Sequence, residues 1–409
     1  NPGYADDPAK FKLAVILTQI SMPYLPCMAI TALWSGVLNA RDRFILSGGA
    51  PIVLNLAMLI AVLPQHDSIS AAYAASWAIL GAGVAQAALL WWGARKSGAK
   101  ITVRFPKMSP EIKALIALAV PGAIAASATQ INIFVSGVLA SQVAGARAWL
   151  AVADRLYQLP LGLVGVAIGV ALLPRLSQAL QAEDHDDAQT ATDQAIVFAL
   201  ALTLPAAAAL MAMPFFLIDG LFTRGEFTTF DAQATAAALF HYGWGVPAFV
   251  LLRVMSPIFF ARRDTKAPMR FALISVAINI GLGITLFHVI GFQGIAAATS
   301  VATWFTILQM SLTLRKRGDY RPTKRAWGKI VRVLAASAAL GLILFAAQHY
   351  REALTAALGS KELAVILVSM AGAAIYPVLL LASGGVTIGE IREVLSRRRS
   401  ALPTPPDNG

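Results

Sequence analysis

Apolar residues run along this chain in long blocks separated by short polar loops. Eleven blocks stand out, at about 11–38, 47–64, 70–93, 111–142, 147–174, 190–217, 232–260, 267–290, 293–314, 327–348 and 361–382. A hydrocarbon core is crossed by about 20 helical residues, so each block predicts a transmembrane helix. Prolines lie inside several of them, at Pro23, Pro26, Pro121, Pro205 and Pro247. In water these would be poor helices, whereas a packed membrane bundle tolerates them. Gly162, Gly165 and Gly169 provide small surfaces where helix backbones can approach closely.

Polar residues inside the blocks are few. Asp154 and Arg155 interrupt the run from Trp149 to Pro174. Each charge near the middle of such a helix costs about 2.5–3.5 kcal/mol on insertion scales. Helical neighbours point about 100° apart, so the two do not neutralise each other face to face. Pro160 removes its own amide donor and crowds the Leu156 carbonyl, loosening the helix beyond Arg155. Charges beside weakened backbone predict a polar cavity and a transport pathway; a buried ion pair between helices is the structural alternative. An arginine fork suits phosphate or carboxylate. Tyr157 and Gln158 extend the polar stretch, as cavity lining or as packing and capping. Arg253, about two turns from the end of its run, either lines the same cavity or snorkels to the surface. Gln130 and Asn132, above Pro121 and Gly122, either face that cavity or bond between helices.

The blocks repeat. Pro26 followed by Asn39-Ala40-Arg41-Asp42 corresponds to Pro247 followed by Phe260-Ala261-Arg262-Arg263, a shift of 221 residues. The Leu54-Asn55 helix matches the Ile278-Asn279 helix. The third helix of each set ends in a basic loop, Ala94-Arg95-Lys96-Ser97-Gly98 and Leu314-Arg315-Lys316-Arg317-Gly318. Both copies start on the same side of the membrane, so the repeat is parallel. Three helices precede the second copy, and their counterparts would lie ahead of Asn1. The expectation is therefore an all-α integral membrane protein with eleven of fourteen helices, in two pseudo-symmetric six-helix lobes plus a terminal pair. Residues 1–98 form half of the first lobe, 99–318 the second lobe, and 319–409 the helix pair with a basic tail.

Composition agrees with the pattern. Of 409 residues 57% are hydrophobic and only 13% charged, and mean hydropathy is +0.67, against about 25% charged in soluble domains. The net charge of +12 does not indicate a nucleic-acid partner, because the basic residues sit in loops between apolar runs. Of the 33 Lys and Arg, 25 fall on one side of the predicted membrane and 6 on the other, with Arg155 and Arg253 inside. The positive-inside rule makes the crowded side and the C-terminus cytoplasmic. Cys27 is alone and reads as a small apolar side chain. The acidic cluster Glu183-Asp184-His185-Asp186-Asp187 caps the following helix or, less simply, holds magnesium for a prenyl-diphosphate enzyme. His66, His241, His288 and His349 lack metal-ligand spacing, and neither a phosphate loop nor a nucleophile elbow occurs. The reading is of a transporter and not an enzyme, without cofactor or metal.

With these residues quoted, a resemblance emerges. Pro2-Gly3-Tyr4-Ala5-Asp6, Gly36-Val37-Leu38-Asn39 with Arg43-Phe44, and Ala50-Pro51-Ile52-Val53-Leu54-Asn55 carry it first. Ala153-Asp154-Arg155-Leu156-Tyr157-Gln158-Leu159-Pro160-Leu161-Gly162 and Leu172-Leu173-Pro174-Arg175-Leu176-Ser177 follow. Arg224-Gly225-Glu226-Phe227 and Phe260-Ala261-Arg262-Arg263-Asp264-Thr265-Lys266-Ala267-Pro268 complete it, over nearly all of residues 2–325. The chain resembles the lipid II flippase (MurJ/MviN) family of the multidrug/oligosaccharidyl-lipid/polysaccharide exporter superfamily. The resemblance implies fourteen helices, a cationic cavity between two lobes, and a groove for the polyprenyl tail on the last two helices. It implies that Arg155 contacts the diphosphate of lipid II with Asp154 beside it, and that Arg253 stands where the family also has a cation. Gln158 replaces an acidic residue of some members, and the interior of the 111–142 run holds no carboxylate, so the family's sodium site does not carry over. The implied setting is the bacterial inner membrane, with lipid II and the bilayer as partners and the cell-wall synthesis machinery as an expected protein partner. Another polyprenyl-linked saccharide or a drug is the alternative cargo, and a membrane enzyme or a non-transporting scaffold the alternative class.

Overall fold

The computed structural model describes residues 7–41, 43–99, 108–171, 185–262, 264 and 266–386. Glu183, Asp184, most of the basic tail and the 172–177 motif lie outside the described residues, as do the side chains of His185 and Asp187. Every described element is a helix. In chain order they are α1 (Pro8–Ser21), α2 (Tyr24–Asn39), α3 (Phe44–Val62), α4 (Ser68–Lys96), α5 (Pro110–Ala140) and α6 (Ala146–Ala171). Then follow α7 (His185–Ala212), α8 (Pro214–Phe222), α9 (Thr229–Gly243), α10 (Val246–Ala261) and α11 (Lys266–Ile290). The last are α12 (Gln293–Arg317), α13 (Lys324–His349), α14 (Arg351–Leu358) and α15 (Lys361–Ala382).

Among the described residues, nine segments are long and apolar enough to cross a membrane, and they correspond to nine of the eleven predicted runs. The remaining two runs fall on α5 and α6, helices of 31 and 26 residues. The protein is thus an all-α integral membrane protein. Its chain separates into two compact units, Asn1–Leu115 and Ile116–Gly409.

Helix ends follow local chemistry. The Asp67 carboxylate accepts the Ile69 and Ser70 amides at 2.9 and 2.8 Å and opens α4. These bonds, the Ser70 hydroxyl first, hold its carboxyl below the usual range. Thr228 and Asp231 form a reciprocal capping box at α9. Gly98 and Gly318 take left-handed φ values of 81° and 74° just past α4 and α12, where a side chain would be strained.

The repeat is visible inside each unit separately. In the first, α1 and α2 form one span broken at Met22–Pro23, and both halves and α3 pack on α4. In the second, α9 and α10 form one span broken at Trp244–Gly245, and both halves and α11 pack on α12. One arginine closes each set. Arg41 donates to the Ser97 carbonyl at 2.5 Å, and Arg262, 221 residues later, pairs with Asp319 at 2.6 Å.

Prolines act unequally. Pro23 lies at a break, and Pro26 and Pro247 fall in the first turns of the helices that follow the two breaks, whereas Pro160 and Pro205 stay within continuous helices. The predicted run 190–217 instead divides at Met213, ahead of Pro214, whose missing amide suits a first helical position. The buried core of the second unit is built chiefly from α6–α10, α12, α13 and α15.

Candidate functional site

The site is best built from α6. Gly145, at φ 85°, ends the preceding turn, and Trp149 folds back over it so closely that a Cβ there would stand 2.6 Å from the ring. The Trp149 indole donates to Asp231 of α9 at 2.8 Å and packs on Phe292 with centroids 5.1 Å apart. These contacts set the rotation of α6 and hence the direction of the polar residues one and two turns later.

Asp154 is half-buried and accepts a hydrogen bond from Gln158, one turn on. Tyr157 lies between them along the helix, and its ring packs on Tyr242 of α9 at 4.7 Å and Phe249 of α10 at 5.2 Å. Arg253 stands one helical turn beyond Phe249 on α10, on the side that packs on Tyr157. Asp154, Tyr157 and Gln158 thus share a stretch of α6 that meets α9 and α10, with Arg253 a turn away on α10.

Arg155 is exposed and stands about 14 Å along α6, roughly a third of the way into a helix about 39 Å long. Arg253 is also exposed. Among the described residues neither arginine has a hydrogen bond or an ion pair. Asp154 and Arg155 do not pair with each other, as their angular separation predicts, and the carboxylate finds its donor at i+4 and not at i+1. An unpaired guanidinium at membrane depth is costly unless a cavity hydrates it or an anion takes it.

Backbone chemistry reinforces the site. Pro160 leaves the Leu156 carbonyl without its intrahelical donor, and Pro257 does the same to the carbonyl of Arg253. Each intramembrane arginine is thus followed within about a turn by loosened, polar backbone. Pro257 was readable as a proline four residues beyond a cation in an apolar run.

Gln130 is exposed on α5, and no described contact joins it to the cluster. Asn132 is turned inward and its side-chain oxygen has no partner. Tyr242, wholly interior, was not foreseen; nothing in a lone tyrosine within an apolar helix distinguishes it before packing is known. Among the described residues no group of His, Cys, Asp and Glu could hold a metal ion.

Comparison with known proteins places this geometry. Residues 2–375 match the family described as "Lipid II flippase MurJ". A protein of Rhizobium tropici named "Probable lipid II flippase MurJ" is 40% identical over 98% of this chain and 76% of its own length. One of Rhizobium meliloti with the same name is 39% identical over the same shares. A solved structure titled "Lipid II flippase MurJ, inward closed conformation" superposes with a TM-score of 0.71 at 21% identity, over 90% of this chain and 75% of the other. That last likeness supports the fold. With the match across nearly the whole chain, the chain belongs to the lipid II flippase MurJ family.

Proposed function

We propose that this protein carries lipid II, the lipid-linked peptidoglycan precursor, from the inner to the outer leaflet of the bacterial inner membrane. The observation that carries the reading is the pair of unpartnered arginines, Arg155 and Arg253, inside apolar helices of a chain belonging to this family. A diphosphate linked to a saccharide head cannot cross hydrocarbon unaided. A planar guanidinium inside the apolar span replaces part of its hydration with charge-assisted hydrogen bonds. Asp154, held by Gln158, keeps a negative group beside the cation, so that the site is not saturated with positive charge and can release its cargo.

The mechanism is alternating access, with the cytoplasmic side being the one that carries Arg315–Arg332 and the C-terminal tail. Gln130 is proposed as a lining residue of the same pathway, reached only as α5 moves. The cell-wall synthesis machinery is the proposed consumer of the product.

The test is the appearance of labelled lipid II in the outer leaflet of cells depleted of their own flippase. Arg155→Ala is expected to lower transport at least tenfold with membrane abundance unchanged. Full transport by that variant would remove Arg155 from the site, and transport of another polyprenyl-linked saccharide in place of lipid II would change the cargo.

A further inference from the structure

Pro205 lies inside α7 and has no amide hydrogen, so the Ala201 carbonyl, one turn earlier, loses its donor within the helix. A bare carbonyl in the interior of a membrane bundle is costly and needs a partner from elsewhere. Tyr376 of α15 supplies it, donating its hydroxyl to Ala201 at 2.7 Å with both residues buried. α13 packs on both helices, with Gly341 against Ala208 of α7 and Leu340 against Gly372 of α15. Three helices therefore meet at the proline.

Polar links continue in both directions along the same pair of surfaces. At the start of α7, buried Asp193 accepts the Tyr320 and Thr323 hydroxyls at 2.6 Å each, and Gln189 bonds the backbone of Arg321. At the far end, Gln348 of α13 accepts the Phe216 amide at 2.9 Å. Lys361 of α15 reaches the Thr223 carbonyl at 2.9 Å and Asp219 at 3.5 Å. Gly220 of α8 packs so tightly on α15 that a Cβ there would stand 2.7 Å from Val365.

We infer that Tyr376 is a positioning residue for transport. It replaces the hydrogen bond that Pro205 removes and so joins α13–α15 to α7–α8 as one moving body. This inference rests on the transport reading above. An apolar pocket of about 310 Å³ between α13, α14 and α15, lined among others by Leu344, Tyr350, Leu354 and Val368, is carried with that body.

The test uses the intact protein in lipid vesicles, in a Cys27→Ser background. A Cβ at Gly341 of α13 stands 3.5 Å from the Cβ of Ala208 on α7, within disulfide reach. In Ala208→Cys/Gly341→Cys, oxidation is expected to leave lipid II flipping within twofold of the reduced protein. Tyr376→Phe should flip at least fivefold more slowly at unchanged abundance, and the cross-link should restore most of that loss. Arrest by oxidation with recovery on reduction would show that the helices slide past one another and overturn the inference. So would a fully active Tyr376→Phe variant, or one that the cross-link does not rescue. Should the parent protein move no lipid II, the transport reading fails by itself. The clamp is then read from hydrogen exchange, expected to be at least tenfold faster at residues 372–380 in Tyr376→Phe, and unchanged exchange would overturn it.

Discussion

Asp154 and Arg155 are neighbours with different fates. The carboxylate is taken by Gln158 on its own helix face, and the guanidinium, turned by about 100°, is left for a ligand or water. Hydrogen bonds to charged groups contribute more than neutral ones, so Gln158→Leu is expected to destabilise the protein by about 1 kcal/mol. The check is the melting temperature in detergent, with Gln158→Asn giving a smaller loss. Arg253 stands about two turns from the end of α10 and, unlike Arg155, has no acidic neighbour in its own helix. Arg253→Gln is expected to slow lipid II transport less than Arg155→Ala does; an unchanged rate would mean that Arg253 merely snorkels. Both arginines and Asp154 were legible because a charge in an apolar run is conspicuous. Tyr242 and Tyr376 were not, since their roles depend on residues 85 and 175 positions away.

At the scale of the helices, the repeat accounts for much of the architecture. Arg41 and Arg262 occupy the same place in the two sets and close the same gap, the first onto a carbonyl and the second onto a carboxylate. The second set gains a further tie, because Asp264 bonds the Ala267 amide at 3.0 Å and Arg317 at 2.8 Å. Those contacts, the Ala267 amide first, hold the Asp264 carboxyl below its ordinary value. A carboxyl with a depressed folded-state value contributes stability above about pH 4 and loses it as pH falls through that lower value. Asp264→Asn is therefore expected to lower the melting temperature at pH 7 and to lower it progressively less as the pH falls below about 4. An equal loss at every pH would show that the charge contributes nothing. Proline positions were read correctly from the sequence, but not their consequences. Pro23 and Pro247 stand where a span is broken, while the carbonyl freed by Pro205 is filled from α15 and α7 runs on.

For the whole molecule, orientation is the property with the widest consequences. The basic loops predict a cytoplasmic C-terminus. In a Cys27→Ser background, a cysteine at Arg321 should be labelled by an impermeant thiol reagent only in inverted vesicles. A cysteine at Thr355 of α14 should be labelled in intact cells, and the reverse pattern would invert the transport direction. The sequence by itself determined the membrane class, the helices, the repeat and the charged residues that interrupt apolar runs. These follow from hydrocarbon thickness, from the cost of charge in apolar surroundings and from period, all of them local or additive along the chain. Only the tertiary structure decided which polar groups meet. Gln158 rather than Arg155 takes Asp154, Tyr157 packs on Phe249 one turn from Arg253, and Tyr376 completes α7 at Pro205. Pairings of this kind depend on the rotation and register of packed helices, which side chains distant in the sequence settle together.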